Sequence, residues 1–285
     1  MYNWTTAIIL AFLTASAYAG DDKAKSKPAD DQIEKERATE ALELCRKGAK
    51  EYRLCLDDRQ RTELELKPDP VLRWSNPSVG SIHGGVFIWT HEGRPFAVAS
   101  IFKWFDPLDS MAFEVHSLST ERLVGILGTK EVWKSSRAGV EFKPVPGAMA
   151  PAATAAARLS QMRTISNRFT ADKTDRDESS QKQRLRLLTQ PVFRYASKTA
   201  QITDGGMFAF VQGTDPEVLL LLEARETDSG SAWHFALARM NSTIFKVAYN
   251  DKEVWSTEVL PWGVVLNNSE PYNLLNLDHL TPPKK

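Results

Sequence analysis

The chain has 285 residues, with 36 Lys plus Arg against 36 Asp plus Glu, so its formal charge is zero at neutral pH. That balance supplies no basic field for nucleic acid or an anionic membrane surface. With 42% hydrophobic residues, the sequence can fill one large core or two modest ones.

Residues 1–19 read as a signal peptide. Ala7-Ile8-Ile9-Leu10-Ala11-Phe12-Leu13 is a short apolar run, and Ala17-Tyr18-Ala19 is an A-x-A cleavage site before Gly20. The segment lacks the usual leading Lys or Arg, but its run is too short for a membrane span. A secreted or periplasmic protein is expected, with no membrane span after signal removal. Residues 20–32 are polar and charged and are expected to form a flexible tail.

A helix is expected from Ile33 to Leu56, because Ala38, Leu42, Cys45, Ala49, Tyr52 and Leu56 follow one helical stripe. Cys45 and Cys55 would then lie about 15 Å apart, too far to pair unless Gly48 breaks the helix. Ala155, Leu159, Met162, Ser166 and Phe169 repeat the stripe at an offset of 117, running from Pro151. Met162 falls at the position of Cys45, which favours that cysteine as a small core residue.

After each helix the same phrase occurs. Pro70-Val71-Leu72-Arg73-Trp74, then Gly84-Gly85 and Pro95, returns as Pro191-Val192-Phe193-Arg194-Tyr195, Gly205-Gly206 and Pro216, at a constant offset of 121. Val71–Trp74 and Val192–Tyr195 read as first strands, Gly85–Thr90 and Gly206–Gln212 as second strands. Phe96–Phe105 and Val218–Leu222 follow as third strands, apolar on both faces, so something must cover both sides. Met111–Leu118 and Ala232–Met240 read as alternating fourth strands. Lys-Glu-Val-Trp is spelled identically at 130–133 and 252–255, in the order a repeat requires. The stretch Lys173–Gln183 is expected to be an exposed loop.

The fold class expected is α+β: a tandem duplication of a helix-plus-antiparallel-meander unit of about five strands. The two sheets would pack face to face with helices outside. The units are residues 33–137 and 151–259, joined by the connection 138–150 and followed by an irregular extension, 260–285. The alternative is two cones with separate cores. The element order resembles cystatin-like and NTF2-like cones and, more loosely, a duplicated hot-dog fold. The segments GGVFIWTHEGRP and FAFVQGTDPEVLLLLEAR resemble a family of uncharacterised exported proteins of planctomycete-like bacteria, which implies no activity or site.

No nucleophile elbow, phosphate loop, dinucleotide fingerprint or zinc-protease motif is present, so neither a cofactor nor a metal is expected. Four residues are candidates for acid–base chemistry. His83 and Asp204 occupy equivalent positions and would form a His–carboxylate pair if their loops met; otherwise they are turn residues. Glu114 and His116 project from one side of a strand, with His234 standing for Glu114 in the second copy; the plain reading is a wet strand face. Arg73 and Arg194 would bind an anion or pair with Glu131 and Glu253, the preferred reading. Trp89, with Trp104, Trp133, Trp255 and Trp262, would line a sugar groove or fill the core. Three functions remain open: a non-catalytic binding or scaffold protein for an envelope or extracellular ligand, a hydrolase or isomerase, and a carbohydrate- or peptide-binding module.

Overall fold

The computed structural model describes residues 28–176, 182–228 and 230–280. The signal sequence and most of the 20–32 tail lie outside the described residues. The first half runs α1 (Pro28–Glu51), β1 (Tyr52–Leu56), β2 (Glu65–Leu66), β3 (Leu72–Ser75), β4 (Ser81–His91), β5 (Arg94–Asp106), β6 (Ser110–Ser117), β7 (Leu123–Leu127) and β8 (Lys130–Lys134). The connection carries β9 (Lys143–Pro144). The second half runs α2 (Ala155–Ser166), β10 (Phe169–Thr174), β11 (Gln183–Arg184), β12 (Arg186–Leu187), β13 (Phe193–Ser197), β14 (Ile202–Gln212), β15 (Asp215–Thr227), β16 (Gly230–Arg239), β17 (Ile244–Tyr249) and β18 (Lys252–Thr257). The C-terminal segment adds α3 (Trp262–Val265), β19 (Tyr272–Asn276) and a 3₁₀ turn, Asp278–Leu280.

The class is α+β, with antiparallel sheets throughout. One large sheet has the order β2-β4-β5-β6-β19, and the other β12-β14-β15-β16-β9, with β3 and β13 also pairing β4 and β14. Two small sheets, β1-β7-β8 and β11-β10-β17-β18, complete the molecule. Each large sheet takes its last strand from the segment following the other half. The C-terminal β19 lies against β6, and β9 lies against β16.

Three apolar clusters explain the two-sided third strands. On β5, Ala97, Ala99 and Ile101 join α1 residues Cys45 and Ala49, while Val98, Phe102 and Trp104 face the other way. On β15, Val218, Leu220 and Leu222 join Met162 of α2, and Leu219 and Leu221 meet Val98 and Val86 in a cluster drawn from both large sheets. From Arg94 to Trp104 and from Pro216 to Ala224 neither strand reaches water on either face, which is why neither alternates there.

The repeated glycines have a steric cause. Trp74 pairs with Gly84 across β3 and β4, and a Cβ on Gly84 would sit 2.4 Å from the indole. Gly205 meets the ring of Tyr195 at 2.6 Å in the same way. An edge aromatic therefore lies flat over each glycine, and only a residue without Cβ admits it.

Several expectations need correction. The α1 helix begins at Pro28, taking in residues 28–32 of the expected tail, and stops at Glu51, and Tyr52–Leu56 is a strand paired with β7. Residues four apart share a face in both conformations, so Tyr52 and Leu56 fit either period; buried Leu54 marks the strand. Likewise Phe169 begins β10, and α2 starts after the N-cap Thr154 rather than at Pro151. Cys45 and Cys55 are both free and buried. The fourth strands are not wet on one face: Trp233, Phe235 and Leu237 join the α2 cluster, and Ala236 and Ala238 the shared one. The expected loop at Lys173–Gln183 begins with buried Lys173 in β10 and ends in β11; residues 177–181 lie outside the described residues. The C-terminal extension is not irregular, because β19 supplies a ladder of five pairs to β6.

Candidate functional site

The sequence-flagged pair Glu114 and His116 lies on β6, between β5 and β19. Strand alternation puts both beside Ala112 on the face turned to the other large sheet. The Tyr272 hydroxyl, on β19, donates to Glu114 Oε1 at 2.6 Å. Burial pushes the half-buried Glu114 carboxyl up to about 8, against that hydrogen bond, with Glu217 adding to the rise. Burial pushes His116 down to about 4, and its Nδ1 lies 2.7 Å from the Ser117 carbonyl. At neutral pH both groups are therefore uncharged, an acid able to donate a proton and an imidazole able to accept one.

The second half brings four more ionisable groups to this place. Lys173 of β10 donates to Glu217 Oε1 at 2.6 Å and to Gln212 Oε1 at 2.9 Å. Burial works against the Lys173 ammonium, but Glu217 and neighbouring carboxylates carry its pKa above the usual value. Asp215 accepts a bond from Asn76 Nδ2 at 3.3 Å; burial raises its pKa well above the ordinary range, and Glu217 and Glu114 raise it further. Glu217 Oε2 is buried without a hydrogen-bond partner. Arg239 is 6% exposed and donates to the Thr243 and Asn241 carbonyls.

A second buried ionic group ties the halves at another point. Arg94 Nε donates to Glu223 Oε1 at 2.9 Å, Arg225 Nε reaches Oε2 at 2.6 Å, and the Tyr195 hydroxyl reaches Oε1 at 2.9 Å. Phe142 of the connection lies under both guanidiniums, 5.0 Å from Arg94 and 3.9 Å from Arg225.

The other sequence candidates do not assemble. His83 Nε2 lies 2.9 Å from Glu34 Oε2 of α1, whereas Asp204 is held by Arg158 of α2 and by Arg194. Each therefore anchors its own helix to its own sheet, and they form no pair. Arg194 pairs with Asp204 rather than Glu253, and Glu131 takes Arg61. Arg73 is exposed. Trp89, Trp104 and Trp133 are at most 5% exposed, so they present no ring to a sugar. His234 is not the counterpart of Glu114: Glu114 pairs with Ser100 as Ala236 pairs with Leu221. Among the described residues no group of three His, Cys, Asp or Glu side chains is placed to hold a metal ion.

Asp215, Glu217, Lys173, Tyr272 and Glu223 were missed from the sequence. Their one signal was charge inside strands otherwise apolar on both faces, such as Glu217 and Glu223 flanking Val218–Leu222. Tyr272 carried no signal, because its strand was read as irregular. No helix among the described residues is long and apolar enough to cross a membrane. Comparison with known proteins finds no matching family, no matching curated protein and no matching solved structure.

Proposed function

We propose that the chain is an exported, non-catalytic binding or scaffold protein built from a doubled α+β unit. The observation that carries this reading is the shared cluster, where Val86, Ile88, Val98, Met207, Leu219 and Leu221 fill the space between the large sheets. The buried charges there are largely spent on one another: Glu223 on Arg94 and Arg225, Glu217 on Lys173. Doubling is supported by reciprocal contacts. Leu277 N–H bonds the Met111 carbonyl, and Val145 N–H bonds the Trp233 carbonyl, at matching points of the two sheets. Thr214 bonds the Ser75 backbone and Gly93 abuts the Ala196 carbonyl; Gly93 and Thr214 stand 121 residues apart in the sequence, as do Ser75 and Ala196. Export, to the periplasm or outside the cell, rests on Ala17-Tyr18-Ala19.

The test is capture of envelope-fraction molecules on the purified mature protein, with bound material identified by mass spectrometry. Recovery of a molecule chemically unchanged, equally by wild type and Glu114→Gln, is expected. Chemical alteration of it by wild type, abolished in Glu114→Gln, overturns the reading. That outcome defines the second reading, a hydrolase or isomerase. One observation favours it: a half-buried carboxyl raised to about 8 beside a tyrosine hydroxyl.

A further inference from the structure

The two Lys-Glu-Val-Trp strands are covered differently. In β8, Trp133 is 1% exposed and its Nε1 donates to the Glu270 carbonyl at 2.8 Å. The chain around it is laid on by Lys134 N–H to Asn268 O at 2.7 Å, Ser136 N–H to Ser269 O at 2.8 Å and Ser117 N–H to Pro271 O at 2.9 Å. The same segment then pairs with β6 from His116 to Ala112.

In β18 the equivalent Trp255 is only half-buried, and its Nε1 has no hydrogen-bond partner among the described residues. The matching ladder, β9 on β16, pairs His234 and Phe235, with Val145 N–H on the Trp233 carbonyl beside it. Leu237, two residues further, turns its backbone N–H and C=O to the same outer edge as Phe235, beyond the last pair. A cavity of about 240 Å³ lies here, lined by Phe235, Leu237, Val254 and Trp255 and by the 137–143 segment, with Arg137, Glu141 and Lys143 as its charged lining residues.

That segment cannot itself drop onto Trp255. Gly139 N–H is bonded to the Ser119 carbonyl at 2.9 Å, Val140 is buried in the shared cluster, and a Cβ on Gly139 would fall 1.8 Å from the Ser117 oxygen. It is held to the first half and stands off the second.

We propose that this gap binds a peptide segment of a partner protein that enters as a turn and continues as a strand. In the other half the equivalent space is filled by main chain, the turn at Asn267–Glu270 leading through Pro271 into β19, which shows the chemistry that fits. The peptide backbone pairs with the Leu237 edge, one carbonyl accepts from Trp255 Nε1, and an apolar side chain packs on Phe235. Acidic residues flanking it meet Arg137 and Lys143, which otherwise bond Glu270 and Glu141 at the surface. This names a partner class within the binding reading and rests on it.

The probe is a labelled decapeptide of the sequence Asn267–Asn276, titrated into the full mature chain by fluorescence anisotropy. Saturable binding is expected, weakened about tenfold by Trp255→Phe, which keeps a ring and removes the N–H donor. Hydrogen exchange of the Leu237 amide in the wild-type complex should slow, a readout independent of any variant. Absence of saturable binding, equal binding by Trp255→Phe, or an unprotected Leu237 amide overturns the site. Envelope capture repeated with Trp255→Phe separates the two proposals: unchanged capture of an unaltered partner removes the slot and leaves the binding reading standing.

Discussion

Glu114 and His116 sit two residues apart on one strand, yet burial moves their proton affinities in opposite directions. The folded Glu114 pKa of about 8 lies above its ordinary 4.5, so its contribution to stability is fully present below about pH 4.5 and is lost as pH rises through 8. The folded His116 pKa of about 4 lies below 6.5, so its contribution is present above 6.5 and is lost as pH falls through 4. Glu114→Gln should therefore gain relative to wild type between pH 5 and pH 8, by up to about 1.4 kcal/mol per pH unit. Urea midpoints at the two pH values measure this, and a gain toward acid pH instead would refute the assignment. Cys45 illustrates the same force on a thiol: burial pushes it up to about 12, and its Sγ–H rests on the Ile101 carbonyl at 3.1 Å. It is an inert packing residue, as its alignment with Met162 in the sequence implied.

At the scale of elements, the edge strand, its aromatic and the facing glycine act as one unit. Gly84→Ala and Gly205→Ala should each cost about 1–3 kcal/mol by forcing Trp74 or Tyr195 off the sheet, measured by chemical denaturation. Gly128→Ala is the control for space rather than clash, because a Cβ there meets nothing within 4 Å, although its φ of +61° still disfavours a side chain. Gly84 has no positive φ, so a loss there below about 0.5 kcal/mol would show that the indole makes room for the added Cβ. The strands themselves were legible because their apolar residues are contiguous and their turns are marked by glycine and proline. The α1 boundary was not, since Tyr52 and Leu56 satisfy helical and extended spacing alike. The two strands that leave their own half, β9 and β19, are short and polar-flanked, and nothing local distinguishes them from loop.

Across the whole molecule, the halves share one apolar cluster and exchange their terminal strands, so they are expected to unfold together. Circular dichroism and tryptophan fluorescence should report coincident transitions; separated midpoints would mean two independent cores. Glu223→Ala leaves Arg94 buried and unpaired between the halves and should cost about 3–5 kcal/mol. The same denaturation experiment measures it, and a loss below about 1 kcal/mol would show that the ion pair is not a tie between them.

The doubled phrase, the two-faced third strands and the requirement for an apolar partner on each face were all readable from residue order, because periodicity and steric demand act locally. Which groups meet across the sheets was decided only by tertiary structure. His83 and Asp204 turned to their own helices, whereas Glu114 found Tyr272 from 158 positions away. Such meetings depend on which strand takes each sheet edge, and a strand of two to five residues is chosen by the edge it completes rather than by its own sequence.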